Sequence, residues 1–256
     1  MITDPWFPFW SAQTGAALPR LYCLPSAGSG ATMYRTWITD LADAYDVRPM
    51  QPPGRESRLG EAPFASFPRL AAAAAAAIAA QEPEDYVLFG HSLGALIAFE
   101  AARSLGAAGR PPRALVVSGS RAPHLRLVAT PAHAPDKLDD DEACKDFMRM
   151  AEGTDEEILA NRDLMDLLLP TLRADLRAGA SYHYTEQPAL NLPVLAIGGE
   201  QDPLARPDEV RAWSGHTAAE FDVRIYPGGH FFIQDAPGLL DRLRALVRAP
   251  RPLRVG

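Results

Sequence analysis

The feature that most restricts this chain is Gly90-His91-Ser92-Leu93-Gly94, set between the short apolar run Tyr86-Val87-Leu88-Phe89 and an apolar-periodic stretch over residues 95–103. The run reads as a buried strand and the stretch as a helix, so the pentapeptide is the sharp turn between them. Such a turn holds Ser92 in a strained conformation at the top of a sheet. It brings positions 90 and 94 so close to neighbouring backbone that a Cβ would collide, which accounts for both glycines. The Leu93 amide then stands at a helix N-terminus and points to where an oxyanion would form, with the helix dipole adding to the attraction. Without the strand and helix around it, the same pentapeptide would be only a serine turn capping a helix.

The rest of the chain follows the same rhythm. Short apolar segments at 20–24, 46–50, 114–118, 193–197 and 221–226 read as strands, and 34–45, 69–81 and 237–248 as helices. Strands alternating with longer helical patterns predict a mostly parallel sheet covered on both faces. Between 121 and 184 the strand rhythm stops. Residues 139–150, 155–169 and 171–184 carry helical patterns with acidic starts instead, which predicts an all-helical insertion over the serine: a lid, or a cap that only stabilises. Met148, Met150, Leu164, Met165, Leu168 and Leu169 supply its apolar positions, and Met165 and Leu168 are the candidates for substrate contact. Residues 1–18 read as an arm whose Trp6, Phe7, Phe9 and Trp10 plug a groove on the body. With 256 residues and no linker, a single domain over 1–256 with the 121–184 insertion inside it is expected.

Charge and cysteine usage exclude several classes of function. A net charge of -7 leaves no excess of Lys and Arg to neutralise phosphates, so nucleic acid is not an expected partner. The first twenty residues lack the basic start and apolar core of a secretion signal, and the alanine run over 71–80 is too short to span a membrane. The expected compartment is the cytoplasm. Cys23 and Cys144 have no metal-ligand spacing and cannot frame a disulfide scaffold, so they read as inert core thiols, and no metal is expected.

A nucleophilic serine needs a base within reach and a carboxylate to orient it. Asp202 stands in the loop Gly199-Glu200-Gln201-Asp202-Pro203, just past a predicted strand, and His230 in Gly228-Gly229-His230-Phe231, just past the next. Loops at the carboxyl ends of parallel strands share one edge of the sheet, so Ser92, Asp202 and His230 can converge there. Glu200 and Asp208 are rival carboxylates; Asp202 is preferred for its place at the turn before Pro203. Among the histidines, His91 is constrained by the strand to point away from Ser92. His124 and His133 fall in the insertion, His183 ends an insertion helix and His216 lies in a polar loop. The order Ser, Asp, His is that of α/β-hydrolases. In that arrangement the loop Pro25-Ser26-Ala27-Gly28-Ser29-Gly30 supplies a second oxyanion donor, the Ala27 amide. A dinucleotide fingerprint on the same loop fails, because Met33 replaces its third glycine and no acidic residue ends the next strand.

Seven blocks in register resemble the type II thioesterases that accompany modular polyketide and nonribosomal peptide synthases. They are Leu21 to Gly28, Pro52-Pro53-Gly54-Arg55-Glu56, Phe89 to Ala95, Phe99-Glu100, Ser118 to Pro123, Arg173-Ala174-Asp175-Leu176 and Gly228 to Phe232. The resemblance implies an α/β-hydrolase fold with an inserted helical lid. It also implies hydrolysis of acyl groups from the phosphopantetheine thiol of acyl or peptidyl carrier domains, which edits stalled or misprimed units. No cofactor is implied, since the phosphopantetheine belongs to the substrate. Ser26 departs from the family, which usually has histidine there. The rival readings are a releasing or cyclising thioesterase, a general carboxylesterase, and a binding protein that kept the fold without the activity.

Overall fold

A computed structural model of the protein describes residues 4–9, 18–125, 138–151 and 154–248. Six strands form one sheet: β1 (Arg20–Leu24), β2 (Asp46–Pro49), β3 (Tyr86–His91), β4 (Ala114–Ser118), β5 (Val194–Gly199) and β6 (Phe221–Tyr226). Their order is β2-β1-β3-β4-β5-β6, and every neighbouring pair is parallel. All carboxyl ends therefore lie along one edge. The residues of β3 are buried throughout, because helices cover both faces of the sheet.

Alternation along the strands sends the core two ways. Leu21, Cys23, Val87 and Phe89 face a layer with Trp37 and Leu243, whereas Tyr22, Leu24, Tyr86 and Leu88 face Leu96, Phe99 and Trp213. The second layer holds α2 (Phe67–Ala80) and α3 (Leu93–Ala107), the helix that follows the serine turn. The N-terminal arm belongs to it as well. Phe7 is inserted beside Tyr22, the Trp6 carbonyl accepts from the Gln51 amide at 2.8 Å, and the Arg58 guanidinium lies over the Trp6 ring. Phe9 faces the Arg35 guanidinium, and Trp10 lies outside the described residues.

Two expectations about helices are corrected. The helix expected over 34–45 is a 3₁₀ turn, Ala31–Tyr34, followed by one short turn, α1 (Trp37–Asp40). Tyr34, Trp37, Leu41 and Tyr45 do recur at helical spacing and are buried, but Thr36, Ile38 and Thr39 are poor helix formers, and tertiary bonds hold the aromatics instead. The Tyr34 hydroxyl donates to the Leu24 carbonyl at 2.9 Å and that of Tyr45 to the Leu243 carbonyl at 2.6 Å.

In the insertion, α4 (Asp141–Met150) is followed by α5 (Glu156–Ala160) and α6 (Arg162–Ala180), so the second break falls at Asn161 and not at Pro170. The Asn161 side chain caps α6 by accepting from the Leu164 amide at 3.2 Å. Pro170 removes one helical bond, yet Met165, Leu169, Leu172 and Leu176 on both sides of it share one apolar cluster with Phe147 and Leu159. That continuous face holds the helix through the proline. The chain closes with α7 (Pro207–Arg211) after β5 and α8 (Leu239–Arg248) after β6. No described helix is long and apolar enough to cross a membrane. Both cysteines are free and buried, and burial pushes their thiols up, Cys23 furthest.

Candidate active site

The serine turn is built by contact. Ser92 has φ 56° and ψ -117°, a conformation that costs a residue with a side chain about 1–3 kcal/mol. A Cβ on Gly90 would lie 2.1 Å from the Gly94 carbonyl oxygen, and one on Gly94 would lie 2.2 Å from the Leu24 oxygen. The second approach seats the start of α3 against the end of β1, and with it the loop that carries Ala27. Ser92 is half-buried, and its amide donates to the Ser118 carbonyl at 2.8 Å.

Asp202 and His230 are joined across the ends of β5 and β6. His230 Nδ1 lies 2.9 Å from Asp202 Oδ2, while Asp202 Oδ1 accepts from the Leu204 and Ala205 amides at 2.8 and 3.2 Å. Both residues are buried. Their loops are tied to each other by the Gln201 amide on the Gly228 carbonyl at 3.0 Å and by the Gly228 amide on Gln201 Oε1 at 2.8 Å. Glu200 and Asp208, the rival carboxylates, are exposed, and Asp208 pairs with Arg206. Among the described residues no hydrogen bond joins Ser92 Oγ to His230. Such contacts are often loose in unliganded enzymes and tighten with substrate.

His91 and His230 are neighbours that the sequence did not pair. The His91 ring is turned to Ser118, with Nδ1 2.9 Å from the hydroxyl, and its centroid lies 4.9 Å from that of His230. Burial above all, and then the charge of His230, holds its pKa well below the usual histidine range. A neutral His91 leaves room for positive charge on His230. The signal available beforehand was the parity of β3, which sets residue 91 beside the end of β4.

The loop after β1 holds the other predicted donor. Among the described residues neither the Ala27 amide nor the Leu93 amide donates to a protein acceptor. The next amide, Gly28, is bound by Asp175 Oδ2 at 2.8 Å, and Asp175 in turn forms a two-pronged pair with Arg55 at 2.7 and 3.0 Å. In the sequence, Arg55 and Asp175 fall in two of the seven resembling blocks, which give neither residue a role. Ser26 is buried, with its hydroxyl 2.9 Å from that of Ser29, which closes the loop on itself.

A cavity of about 600 Å³ runs between the insertion and this loop. Its wall includes Ala27, Gly28 and Met33 on one side and Phe147, Met148, Leu167, Leu168 and Leu172 on the other, with Phe231 at the end near His230. It stops short of Ser92 and His230 themselves. Leu168 is thus placed on the cavity, but Met165 is not: it is buried in the insertion's own core with Leu169 and Leu172. Met165 packs with Leu169 and Leu176 in that core, whereas Leu172, one turn on from Leu168, borders both the core and the cavity.

The remaining histidines lie elsewhere. His216, expected in a polar loop, is buried beside Phe99 and Trp213, with Nε2 2.8 Å from His124 Nδ1. His183 is exposed, and His133 lies outside the described residues. Burial first, then the charges of His124 and Arg103, pushes His216 down from 6.5 to about 4. Between those values the unfolded chain holds more protons than the folded one, so stability rises with pH there. It is lost as pH falls from 6.5 through about 4, by up to about 3 kcal/mol. Urea unfolding at pH 5 and 7 measures this loss. His216→Gln should flatten the difference, and an unchanged acid loss would place it on other groups.

Comparison with known proteins matches residues 19–247 to the thioesterase domain family. Thioesterase PikA5 of Streptomyces venezuelae is 39% identical over 224 residues, 84% of this chain and 76% of its own. The structure of the type II thioesterase BorB, from the borrelidin biosynthetic cluster, superposes with a TM-score of 0.86 at 34% identity, covering 97% of this chain and 100% of BorB. YbtT, a type II thioesterase from the yersiniabactin NRPS/PKS pathway, gives a TM-score of 0.81 at 31% identity over 93% of this chain and 96% of its own.

Proposed function

The chain belongs to the thioesterase family, and from that premise we propose that it releases acyl groups from the phosphopantetheine thiols of acyl or peptidyl carrier domains, with Ser92, His230 and Asp202 as its catalytic triad. The observation that carries the triad is the Asp202–His230 bond at the same sheet edge as the strained serine turn. Asp202 holds Nδ1, which leaves Nε2 of His230 to take the proton of Ser92 Oγ as it attacks the thioester carbon. The tetrahedral oxyanion rests on the free amides of Ala27 and Leu93. Collapse expels the thiol, which takes its proton from His230, and leaves an acyl ester on Ser92. Water then attacks that ester with His230 as base, releasing the acid and restoring the serine. The reaction needs no cofactor.

The role of editing enzyme in a polyketide or nonribosomal peptide pathway is supported by the likeness to BorB and YbtT, type II thioesterases of the borrelidin cluster and of the yersiniabactin NRPS/PKS pathway. The cavity between the insertion and the Ala27 loop suits the approach of an acyl-pantetheine, being mostly apolar with a few polar groups. The deciding measurement is turnover of a panel of acyl-carrier thioesters against matching acyl-CoA and oxygen esters. Faster hydrolysis of carrier thioesters to free acids is expected. Preference for oxygen esters, or cyclised products from long chains, would replace this reading with an esterase or a cyclase.

The insertion reads as a lid that selects the acyl chain. Leu168→Trp should shift preference toward shorter chains by about tenfold in kcat/KM, the worth of one or two methylenes in an apolar pocket. Met165→Ala should instead cost about 2–5 kcal/mol of stability, because it empties the insertion's core. Equal selectivity in both variants would move the chain pocket elsewhere.

A further inference from the structure

We propose that the buried Arg55–Asp175 pair is a positioning device for the oxyanion site: it fixes the loop that presents the Ala27 amide and makes helix α6 part of that site. The inference rests on the role given to Ala27 above and extends it to two residues outside the triad.

The pair is built for position. Both residues are nearly inaccessible, at 5% and 2% exposure, and a pair so deep loses most of its attraction to desolvation, so stability alone does not explain it. Its remaining bonds all end on two loops. Asp175 Oδ2 takes the Gly28 amide, Arg55 Nη1 donates to the Ser29 carbonyl at 2.9 Å, and Arg55 Nε and Nη2 reach the Pro53 carbonyl at 3.3 Å. The peptide just after Ala27 is therefore pinned, while the amide of Ala27 itself stays free.

Two neighbours of Asp175 on α6 reinforce the same contact. The Thr171 hydroxyl donates to the Gly54 carbonyl, and Leu172 Cδ1 lies 3.2 Å from where a Cβ on Gly28 would be. Gly28 has φ +74°, so the loop turns here only because glycine and helix meet. Thr171 and Leu172 also line the cavity, which places one face of α6 between the acyl chain and the oxyanion loop.

The test uses the full chain with Asp175→Asn and with the double variant Arg55→Met/Asp175→Leu, which replaces the pair by apolar groups of similar volume and keeps the protein folded if the single variant fails. Two ligands separate position from binding: a trifluoromethyl ketone, whose carbon bonds to Ser92 Oγ and leaves an oxyanion in the site while His230 takes the proton, and an uncharged thioether analogue of the same length. We expect kcat to fall about 10²-fold with KM within about threefold, the loss seen when one oxyanion donor is misplaced. Ketone affinity falls with kcat, and thioether affinity holds. Asp85→Asn, which breaks the ion pair with Arg113 at the opposite ends of the strands, should lower thermal stability without changing the ratio of the two affinities. A folded double variant with wild-type kcat and ketone affinity would overturn the inference, as would equal losses of both ligands. Failure of the wild-type chain to form the ketone adduct at Ser92 is a different result: it would overturn the reading of Ser92 and this inference with it.

Discussion

Ser92→Ala is expected to lower thioester turnover by about 10⁶-fold and to abolish the acyl-enzyme, with the thermal midpoint close to wild type. The loss is large because without the hydroxyl no covalent intermediate can form, and His230 has no proton to take. The fold should survive. Ser92 is half-buried, and its backbone is held from outside by the Ser118 carbonyl and by the close passage of Gly90 over Gly94. The strain at φ 56° remains in the alanine variant, so Ser92→Gly should be equally inactive yet more stable by about 1 kcal/mol. Mass spectrometry after brief exposure to an acyl-pantetheine reads the intermediate directly. An adduct of unchanged yield in Ser92→Ala would remove this residue from the mechanism.

Asp202→Asn should lower kcat by about 10⁴-fold while preserving the loop. Asp202 works with both oxygens: Oδ2 faces His230 Nδ1, and Oδ1 holds the Leu204 and Ala205 amides. An asparagine can keep the amide bonds through its oxygen, but its NH₂ then faces His230 and forces the proton onto Nε2, where it blocks acceptance from Ser92. The charge that supports the imidazolium goes as well. Glu200→Gln and Asp208→Asn change exposed groups that do not touch His230, and should alter kcat less than threefold. Steady-state kinetics on one acyl-carrier substrate ranks the three. A crippled Glu200→Gln with an active Asp202→Asn would reverse the assignment.

Much of this molecule is written locally. The inner strands β3, β4 and β5 are short apolar runs buried throughout, and Pro and Gly mark the strand ends, so the order of strands along the chain was legible within a residue or two. The first half of the serine turn was legible because Gly90 answers to the Gly94 carbonyl four residues away, whereas Gly94 answers to the Leu24 carbonyl at the end of β1, a contact that the tertiary fold supplies. The α/β-hydrolase fold follows from the same local patterns in order, and the thioesterase family was legible as a resemblance carried by seven short blocks. The insertion was legible as helical, but its breaks were not: a proline inside a pattern predicts an end, and only the shared core of Met165, Leu169 and Leu172 carries α6 through it.

What the sequence could not decide were the meetings between distant segments. Which of three carboxylates reaches His230 depends on how two loops are bonded at the ends of β5 and β6, and those bonds lie between residues 27 or 28 positions apart. His216 looked polar by its neighbours and is buried by Trp213, Phe99 and His124, which arrive from other elements. The Arg55–Asp175 pair spans 120 residues, and the local bonds of Arg55, to the Pro53 carbonyl, do not announce it. Periodicity and turn chemistry are properties of a few consecutive residues and survive in the sequence. Burial of a charge, or the choice of its partner, is a property of where elements cross, and here the path of α6 over the carboxyl ends of the strands decided it.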